Sequence, residues 1–303
     1  MRKKQNVWKF LPVVAVMALA GVVGCSGNMD DIPEPAPDPR PDIVRPPVEK
    51  ILLTVGLEVP EDTAFYCFRQ WDKGLGFAVV SMDGKGELLY RYPSHDPHME
   101  GLPFIMQDSL NSVSAVFGGN IVSGADSLVG YFIHKSMMNY NICQQYQSKD
   151  GTFGMYDIVV GACRTETDEE GNISASMLLK HQTSQLAIRF KNDTGDELTI
   201  VSVQLDVVDN STPFYDYLTG YFGFRQMQPR SGSIFLTTDK TPVEKEGVFT
   251  ANISLFMADE TALDGKAIRY TVRTNKGDYV YTKEGETYRK GNRYVENIKM
   301  KGR

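Results

Sequence analysis

Apolar and polar side chains alternate without a break in Val201-Ser202-Val203-Gln204-Leu205-Asp206-Val207. Successive side chains of a β-strand point to opposite faces, so this pattern predicts a strand with one buried face and one wet face. The same period of two recurs in residues 51–59, 186–191, 249–255 and 268–273. Because each apolar face needs another apolar layer to cover it, the sequence predicts β-sheets packed face to face.

Turn-forming residues separate these stretches, as at Asp264-Gly265 and Asn275-Lys276-Gly277. Long helical patterns are lacking, and only residues 106–117 suggest a short helix. The expected fold is therefore all-β, with two β-sandwich domains at residues 51–228 and 229–303. The boundary is placed near residues 228–232, where proline and glycine interrupt the strand pattern.

The residues before Cys25 form a pattern typical of an export signal. A cationic head with Arg2, Lys3, Lys4 and Lys9 precedes an apolar stretch at residues 10–23. That stretch is too short to span a bilayer as a mature helix, so residues 1–24 are predicted to be a signal peptide. Residues 25–50 are rich in Pro, Asp and Glu and are predicted to be a tether of about 75 Å when extended as polyproline II.

Charge and cysteine content exclude several classes of function. The formal net charge is -6, and removing the four cations of the signal makes the mature chain more acidic still, which argues against a nucleic-acid partner. Three cysteines remain at Cys67, Cys143 and Cys163, with no close pair, so neither a zinc site nor a full disulfide framework is indicated. One disulfide among the three stays open, without an assigned pairing.

No combination of residues indicates catalysis, and we expect neither enzymatic activity nor a cofactor. His95, Asp96 and His98 could hold zinc or copper, but a third strong ligand is not evident nearby and a solvated loop is favoured. His181 is expected to be a structural histidine. The chain has neither a phosphate-binding glycine loop of the required spacing nor a nucleophile elbow.

One aromatic cluster is the candidate binding surface, and it includes Tyr215, Tyr217, Tyr221 and Phe222, with Phe214 and Phe224 beside them. Exposed aromatic side chains stack on sugars or anchor protein contacts. The alternative is that the cluster belongs to the core or to the junction of the two domains.

The tetrapeptide Val22-Val23-Gly24-Cys25 resembles a bacterial lipobox. The resemblance implies that the Cys25 sulfur carries a diacylglycerol and that the chain is cut just before Cys25. The alternative is a buried cysteine at the end of an ordinary signal. Acyl chains contribute about 0.8 kcal/mol per buried methylene, so the lipid would hold the chain on a membrane. Asp30 and Asp31 resemble the signal that sends some lipoproteins to the outer face of the outer membrane.

Several stretches resemble the fimbrillin superfamily of lipoprotein-derived fimbrial subunits: residues 156–161, 177–190 and 291–300, with residues 77–84 and 116–120 more similar to the anchor branch. The resemblance implies two tandem transthyretin-like β-sandwiches and a structural role in a surface fimbrium. It also implies that neighbouring fimbrial subunits are partners through strand exchange, and that the lipid places the chain at the outer membrane.

The chain departs from the stalk subunits of that superfamily, which a protease releases by cutting after an arginine. Arg40 and Arg45 both precede proline, which obstructs such cleavage, although the Lys50–Ile51 bond remains cleavable. An anchor or accessory subunit is therefore favoured over a stalk or tip subunit. A glycan-binding lipoprotein of a nutrient-uptake system is the other alternative, and a host or glycan ligand remains open. Glu296 stands where the final strand should have an apolar residue, which puts that strand's burial in question.

Overall fold

The computed structural model describes residues 45–59, 76–90, 101–111, 113–133, 141–148, 156–215 and 229–302. Every named element in these ranges is a β-strand, so the described part of the chain is all-β, as the alternation predicted. The strands are β1 (Val48–Leu57), β2 (Gly76–Met82), β3 (Leu102–Asn111), β4 (Ser114–Val122), β5 (Ser127–Ile133), β6 (Gln144–Gln147), β7 (Ile158–Thr167), β8 (Ile173–His181), β9 (Ser184–Asp193), β10 (Leu198–Val207), β11 (Ser233–Val243), β12 (Val248–Leu255), β13 (Ala267–Thr274), β14 (Gly277–Glu284) and β15 (Arg293–Lys301).

The first part of the chain forms one closed sheet in the order β1-β4-β3-β2-β5-β7-β8. The closure is made by β1, which pairs antiparallel with β4 and parallel with β8. Alternate residues of β1, namely Ile51, Leu53, Val55 and Leu57, point into the apolar interior and are at most 4% exposed. The alternation therefore identified the buried face of β1, but the sheet closes on itself instead of packing against a second sheet.

Residues 106–111 belong to β3 and residues 114–117 to β4, so the short helix expected there is wrong. The two strands pair antiparallel, with Phe104 opposite Gly119. A Cβ atom on Gly119 would lie 2.4 Å from the Phe104 ring, so glycine is needed for the ring to pack against β4. Pairing with distant strands thus decides the conformation of this stretch, and the weak local helical pattern does not.

The second part of the chain is a sandwich of two sheets. A five-stranded sheet has the order β14-β13-β10-β11-β6, and a three-stranded sheet has the order β12-β9-β15. The apolar residues of both sheets form one core, which includes Leu186, Ile188 and Phe190 of β9 and Leu205 of β10. We call this unit the second sandwich.

Strands on both sides of the expected boundary near residue 228 lie in this one sandwich. β10 pairs with β11 across that position, and β9 pairs with β12 and β15. The change from the closed sheet to the second sandwich falls between His181 and Ser184, because β8 and β9 belong to different sheets. Pro229 and Gly232 therefore lie just before β11, inside the second sandwich. Alternation alone did not show which strands β9 and β10 would join.

The stretch that alternates most regularly, residues 201–207, contains a β-bulge at its start. The register of β10 shifts between Ile200 and Ser202, and Val201 is only half-buried. An extra residue in one strand moves the following side chains to the other face. The core therefore receives Ile200 before the bulge and Val203 and Leu205 after it, whereas Val201 lies outside the core.

One strand connects the two units. β6 lies between β5 and β7 in sequence, and both of those strands belong to the closed sheet. β6 itself leaves that sheet and pairs parallel with β11 at the edge of the second sandwich. Apolar contacts at the same junction join Tyr131 of the closed sheet with Tyr215 and Phe256. The segment between β5 and β7 therefore supplies one strand to the second sandwich, and an apolar seam joins the two units.

The two ends of β1 lie at opposite ends of the closed sheet. At its start, Val48 pairs with Val122. Just after its end, the backbone carbonyl of Glu58 lies 3.1 Å from Nε2 of His181, beside the junction with the second sandwich. A strand of ten residues is about 33 Å long, so β1 spans the closed sheet from its start to this junction.

Candidate functional site

The structure describes only some of the predicted site residues. Cys25, Tyr217, Tyr221 and Phe222 lie outside the described residues, as do Phe224, Cys67, His95 and His98. Tyr215 is described and is only 9% exposed. Its ring packs on Phe256 with 4.8 Å between centroids, and burial raises its pKa. Tyr215 therefore contributes to the seam between the two units and presents no open aromatic surface.

The last residues of the predicted tether, 48–50, already belong to β1. Lys50 lies within β1 and pairs with Asn120 of β4, while Ile51 has no exposed surface. A protease needs an extended, unpaired substrate segment, and the Lys50–Ile51 bond is instead part of a sheet. Within the described residues, the folded chain therefore protects the one bond of the tether region that the sequence left cleavable.

Strand edges are the surfaces through which strand exchange operates, because they present unpaired backbone N–H and C=O groups. Among the described strands, the closed sheet has no edge, since β1 occupies the position between β4 and β8. The described strands of the second sandwich have four edges, at β6, β12, β14 and β15. These four edges form two pairs, and the pairs differ in how they are satisfied.

The edges of β6 and β12 face each other and are joined by two glutamine side chains, which we call the glutamine bridges. Gln145 of β6 donates from Nε2 to the Ser254 carbonyl at 2.7 Å and accepts from the Ser254 N–H at 2.9 Å. Gln147 donates to the Thr250 carbonyl and accepts from the Asn252 N–H, each at 2.8 Å. The two amides thus act on the β12 edge as the peptide groups of a neighbouring strand would.

The edges of β14 and β15 lie together on the other side of the sandwich. Lys283 of β14 and Glu296 of β15 form an ion pair of 2.8 Å between the two sheets. Among the described strands, none pairs with the outer edge of β14 or of β15. Side-chain contacts therefore join these two edges as well, since the Tyr281 side chain of β14 also bonds to the Lys301 backbone of β15.

Glu296 is buried, and the final strand forms nevertheless. Its Oε1 accepts hydrogen bonds from the Tyr270 hydroxyl at 3.1 Å and the Tyr288 hydroxyl at 3.0 Å, in addition to the contact with Lys283. Burial raises the pKa of both tyrosines, and the negative charge of Glu296 raises it further. The question that the sequence left about β15 is thus answered by a polar cluster, which the sequence did not reveal because Tyr270 and Tyr288 lie on other elements.

His181 has a structural environment. Its Nδ1 is 2.9 Å from Oδ1 of Asp157, and its Nε2 is 3.1 Å from the Glu58 carbonyl, with all three groups beside the junction. A carbonyl oxygen only accepts, so Nε2 carries a hydrogen. Gln182 and Thr183 then lead into β9, and Thr183 accepts from the Gly291 N–H at 2.9 Å. The imidazole therefore joins three segments where the two units meet.

The described cysteines form no disulfide with each other. Cys143 is buried in the second sandwich, and its thiol donates to the Tyr215 carbonyl at 3.3 Å. Cys163 lies on the closed sheet, and burial raises the pKa of its thiol to about 11. Within the described ranges, no three His, Cys, Asp or Glu side chains gather as a metal site, and no helix is long and apolar enough to cross a membrane.

Comparisons with known proteins return no family and a set of distant structures. No protein-family model matches the sequence, and no curated protein matches it. A candidate cell adhesion protein from Bacteroides eggerthii is 13% identical, with a TM-score of 0.42 over 84% of this chain and 87% of that one. The fimbrial anchor protein Mfa2 from Porphyromonas gingivalis is 12% identical, with a TM-score of 0.41 over 78% of this chain and 82% of that one.

The tip fimbrial protein Mfa3 from Porphyromonas gingivalis, with a C-terminal truncation, is 11% identical, with a TM-score of 0.36 over 84% of this chain and 95% of that one. At these identities and TM-scores, the likeness carries no argument about family or function.

Proposed function

We propose that this chain is a structural subunit of a cell-surface fimbrium, placed at the base or as an accessory subunit and held in the outer membrane by lipid on Cys25. The N-terminal sequence supports the anchor, because a cationic head, a short apolar stretch and Val-Val-Gly-Cys precede a proline-rich tether. The all-β body supports a structural role, because its edges offer backbone groups to other strands.

The position of β1 carries the proposal. A stalk subunit of the resembling superfamily loses its tether by proteolysis and then receives a strand from its neighbour. In this chain, β1 follows the tether directly and is paired on both sides along the closed sheet. Cleavage at Lys50–Ile51 would cut a paired strand, and Arg45 is followed by Pro46. The folded body therefore stays joined to the tether, which favours a subunit that remains on the membrane.

Two measurements on the natural host test the proposal. Mass spectrometry of the mature N-terminus should find an acylated Cys25, and a Cys25→Ser variant should leave the membrane fraction. The chain should also be recovered with purified fimbriae or with a stalk subunit. An unmodified mature N-terminus near Ile51 would contradict the anchor role, and repeated absence from fimbrial material would contradict the fimbrial role.

A further inference from the structure

We propose that the outward face of the three-stranded sheet binds an acidic polysaccharide. The surface, which we call the basic strip, consists of outward residues of β9 and β15: Arg189, Lys191, Asn297, Lys299 and Lys301. Its ligand is a linear sugar chain that carries sulfate, carboxylate or phosphate groups. The choice of a polysaccharide among polyanions rests on the proposed function, because that function places the chain on the cell surface.

The pairing of β9 with β15 brings the cations together. Phe190 and Met300 point into the core, so the residues before and after each of them point outwards. The register places these outward residues side by side in the pairs Arg189–Asn297, Lys191–Lys299 and Asp193–Lys301. Paired residues lie about 4.8 Å apart across the strands, and alternate residues lie about 6.6 Å apart along them. Neighbouring cations are therefore within about 8 Å, the Debye length at physiological ionic strength, and their potentials add.

The basic strip has the opposite sign to the chain as a whole. The chain has a formal net charge of -6, whereas the strip has four cations and only Asp193 beside them. Lys191 forms an ion pair of 3.1 Å with Asp193. Arg189, Lys299 and Lys301 are exposed, and their side chains form no ion pair within the part of the chain that the structure describes. These three cations are available to a ligand with several anionic groups.

One pair in the strip is unfavourable for folding. Lys191 and Lys299 lie directly opposite each other, and like charges in that position destabilise a sheet. A threonine at either position would remove the repulsion and suit a strand better. A local arrangement that opposes folding without a compensating contact is typical of residues that serve binding.

The outline of the strip fits a narrow chain better than a broad surface. The exposed outward residues of β15, from Val295 to Lys301, extend over about 20 Å, whereas the cations occupy only two strands. Glu244 and Glu246 are exposed in the turn that bonds to Asn192 at the end of β9. A bilayer surface would meet these carboxylates, while a linear chain can lie along β9 and β15 without them.

The side chains of the strip suit an acidic sugar. The Arg189 guanidinium can bind a sulfate or carboxylate through two parallel hydrogen bonds. The Asn297 amide can donate to a hydroxyl and accept from one, and Val295, which is 49% exposed, offers apolar contact beside it. The strip contains no aromatic side chain, so it has no platform on which nucleic-acid bases could stack.

Two polysaccharides with the same backbone provide the first test. The probes are dextran sulfate and uncharged dextran of equal length, added to the full mature chain in neutral detergent, with binding measured by titration calorimetry. We expect saturable binding of dextran sulfate and no binding of dextran. A tenfold rise in salt concentration should weaken binding by about tenfold or more, because the contacts are ionic.

Two double variants with the same loss of charge provide the second test. Arg189→Gln with Lys299→Gln should weaken binding of dextran sulfate by about tenfold or more, because two charge-assisted contacts are lost. Lys85→Gln with Lys276→Gln removes two cations from exposed turns elsewhere and should leave binding within about twofold. Lys299→Gln alone should leave the urea midpoint unchanged or raise it, because the repulsion with Lys191 disappears.

Several outcomes would overturn the inference. No binding of dextran sulfate, or equal weakening by the two double variants, overturns the basic strip as a binding site. A lower urea midpoint for Lys299→Gln would show that this lysine serves the fold, which overturns the argument from repulsion. Duplex DNA and vesicles of anionic lipid are the competing probes, and tighter binding of either one overturns the choice of a polysaccharide.

Experiments in the natural host separate the inference from the proposed function. The Arg189→Gln and Lys299→Gln double variant should still be acylated and recovered with fimbriae. Its loss from fimbriae would make the strip a contact between subunits, which overturns the inference and leaves the fimbrial role intact. Absence of the natural chain from fimbriae overturns the role, while the binding of dextran sulfate in solution still tests the strip.

Discussion

The side-chain amide of Gln145 pairs with both backbone groups of Ser254, although the two residues lie in different sheets. Edge strands with free backbone groups invite unwanted pairing. Here a side chain from one edge satisfies the other edge, as Gln147 does two residues further along β6. One side of the second sandwich is closed in this way, and on the other side the Lys283–Glu296 ion pair and a bond from the Tyr281 side chain to the Lys301 backbone join β14 to β15.

The glutamine bridges should contribute measurably to stability. Gln147→Ala leaves the Asn252 N–H and the Thr250 carbonyl without their partner, so we expect a loss of about 1–3 kcal/mol in the free energy of unfolding. Gln144→Ala removes the same side chain from the exposed face of the same strand and should change stability by less than about 0.5 kcal/mol. Urea denaturation measures both, and equal effects would mean that the bridges do not stabilise the fold.

Glu296 should be far more important than an exposed glutamate. Glu296→Ala leaves two buried tyrosine hydroxyls and Lys283 without their shared acceptor, and we expect a loss of about 3 kcal/mol. Glu284→Ala, on the exposed face of β14, is the control and should stay within about 0.5 kcal/mol. Thermal and urea unfolding would contradict the structure if the two variants were equally stable.

The buried tyrosines should make the fold sensitive to alkaline pH. Burial and the Glu296 charge raise the pKa of Tyr270 and Tyr288, so both stay protonated in the folded state at pH values where the unfolded chain ionises. Below pH about 10, the ordinary tyrosine pKa, the two tyrosines contribute fully to the free energy of unfolding. Above that pH, the free energy of unfolding falls by about 1.4 kcal/mol per pH unit for each tyrosine.

The measurement is unfolding by urea as a function of pH, with tyrosinate absorbance recorded in parallel. Tyr281, whose pKa burial raises to about 12, should ionise before Tyr270 and Tyr288 do. A Tyr288→Phe variant should show a shallower loss of stability above pH about 10, because one group no longer contributes. Ionisation of every tyrosine near pH 10 in a chain that remains folded would contradict the arrangement of the Glu296 cluster.

The close approach of Gly119 to Phe104 should make this glycine intolerant of a side chain. Gly119→Ala places a Cβ 2.4 Å from the ring in the present arrangement, so we expect a loss of about 1–3 kcal/mol from overpacking. A double variant with Phe104→Leu should recover part of that loss, since the smaller side chain frees the space. A double-mutant cycle in urea measures the coupling, and strictly additive effects would show that the two residues do not interact.

The tether should resist proteases that cut after arginine or lysine. Native chain on membranes should keep its body attached under trypsin at low concentration, because Pro46 follows Arg45 and Lys50 is paired in β1. A Pro46→Ala variant makes the Arg45 bond an ordinary substrate and should release the folded body intact. Release of the native body with an N-terminus at Ile51 would show that β1 does not protect its own bond.

The parts of the fold that follow from local alternation were predictable from sequence. The period of two gave the buried face of β1, including Ile51 and Leu53, and that of β9, including Ile188. The period of two could not predict the bulge at Val201, because the position of the extra residue depends on how β10 pairs with both of its neighbours. Nor could it show that β1 closes a sheet, since that depends on β8, more than a hundred residues away.

The candidate site was less accessible to sequence reasoning. β6 has glutamine where an inward apolar residue would mark a strand, so Gln145 and Gln147 gave no signal of their partners on β12. Glu296 was a signal, because a charge at an inward position of an alternating strand requires a partner. The identity of that partner depends on tertiary packing. The sequence showed that Tyr215 is aromatic but did not show how deeply its side chain is buried. Only the three-dimensional arrangement places it in the seam.

The way in which β1 joins the tether has a mechanical consequence. If Cys25 carries the proposed lipid, a load applied through it reaches Arg45 and pulls along the axis of β1, which is bonded to β4 on one side and to β8 on the other. Such a pull shears both rows of hydrogen bonds at once, whereas a pull across the strand would open them one after another. A chain anchored in this way would resist a pulling force best along β1, the direction in which a tugged filament would strain it.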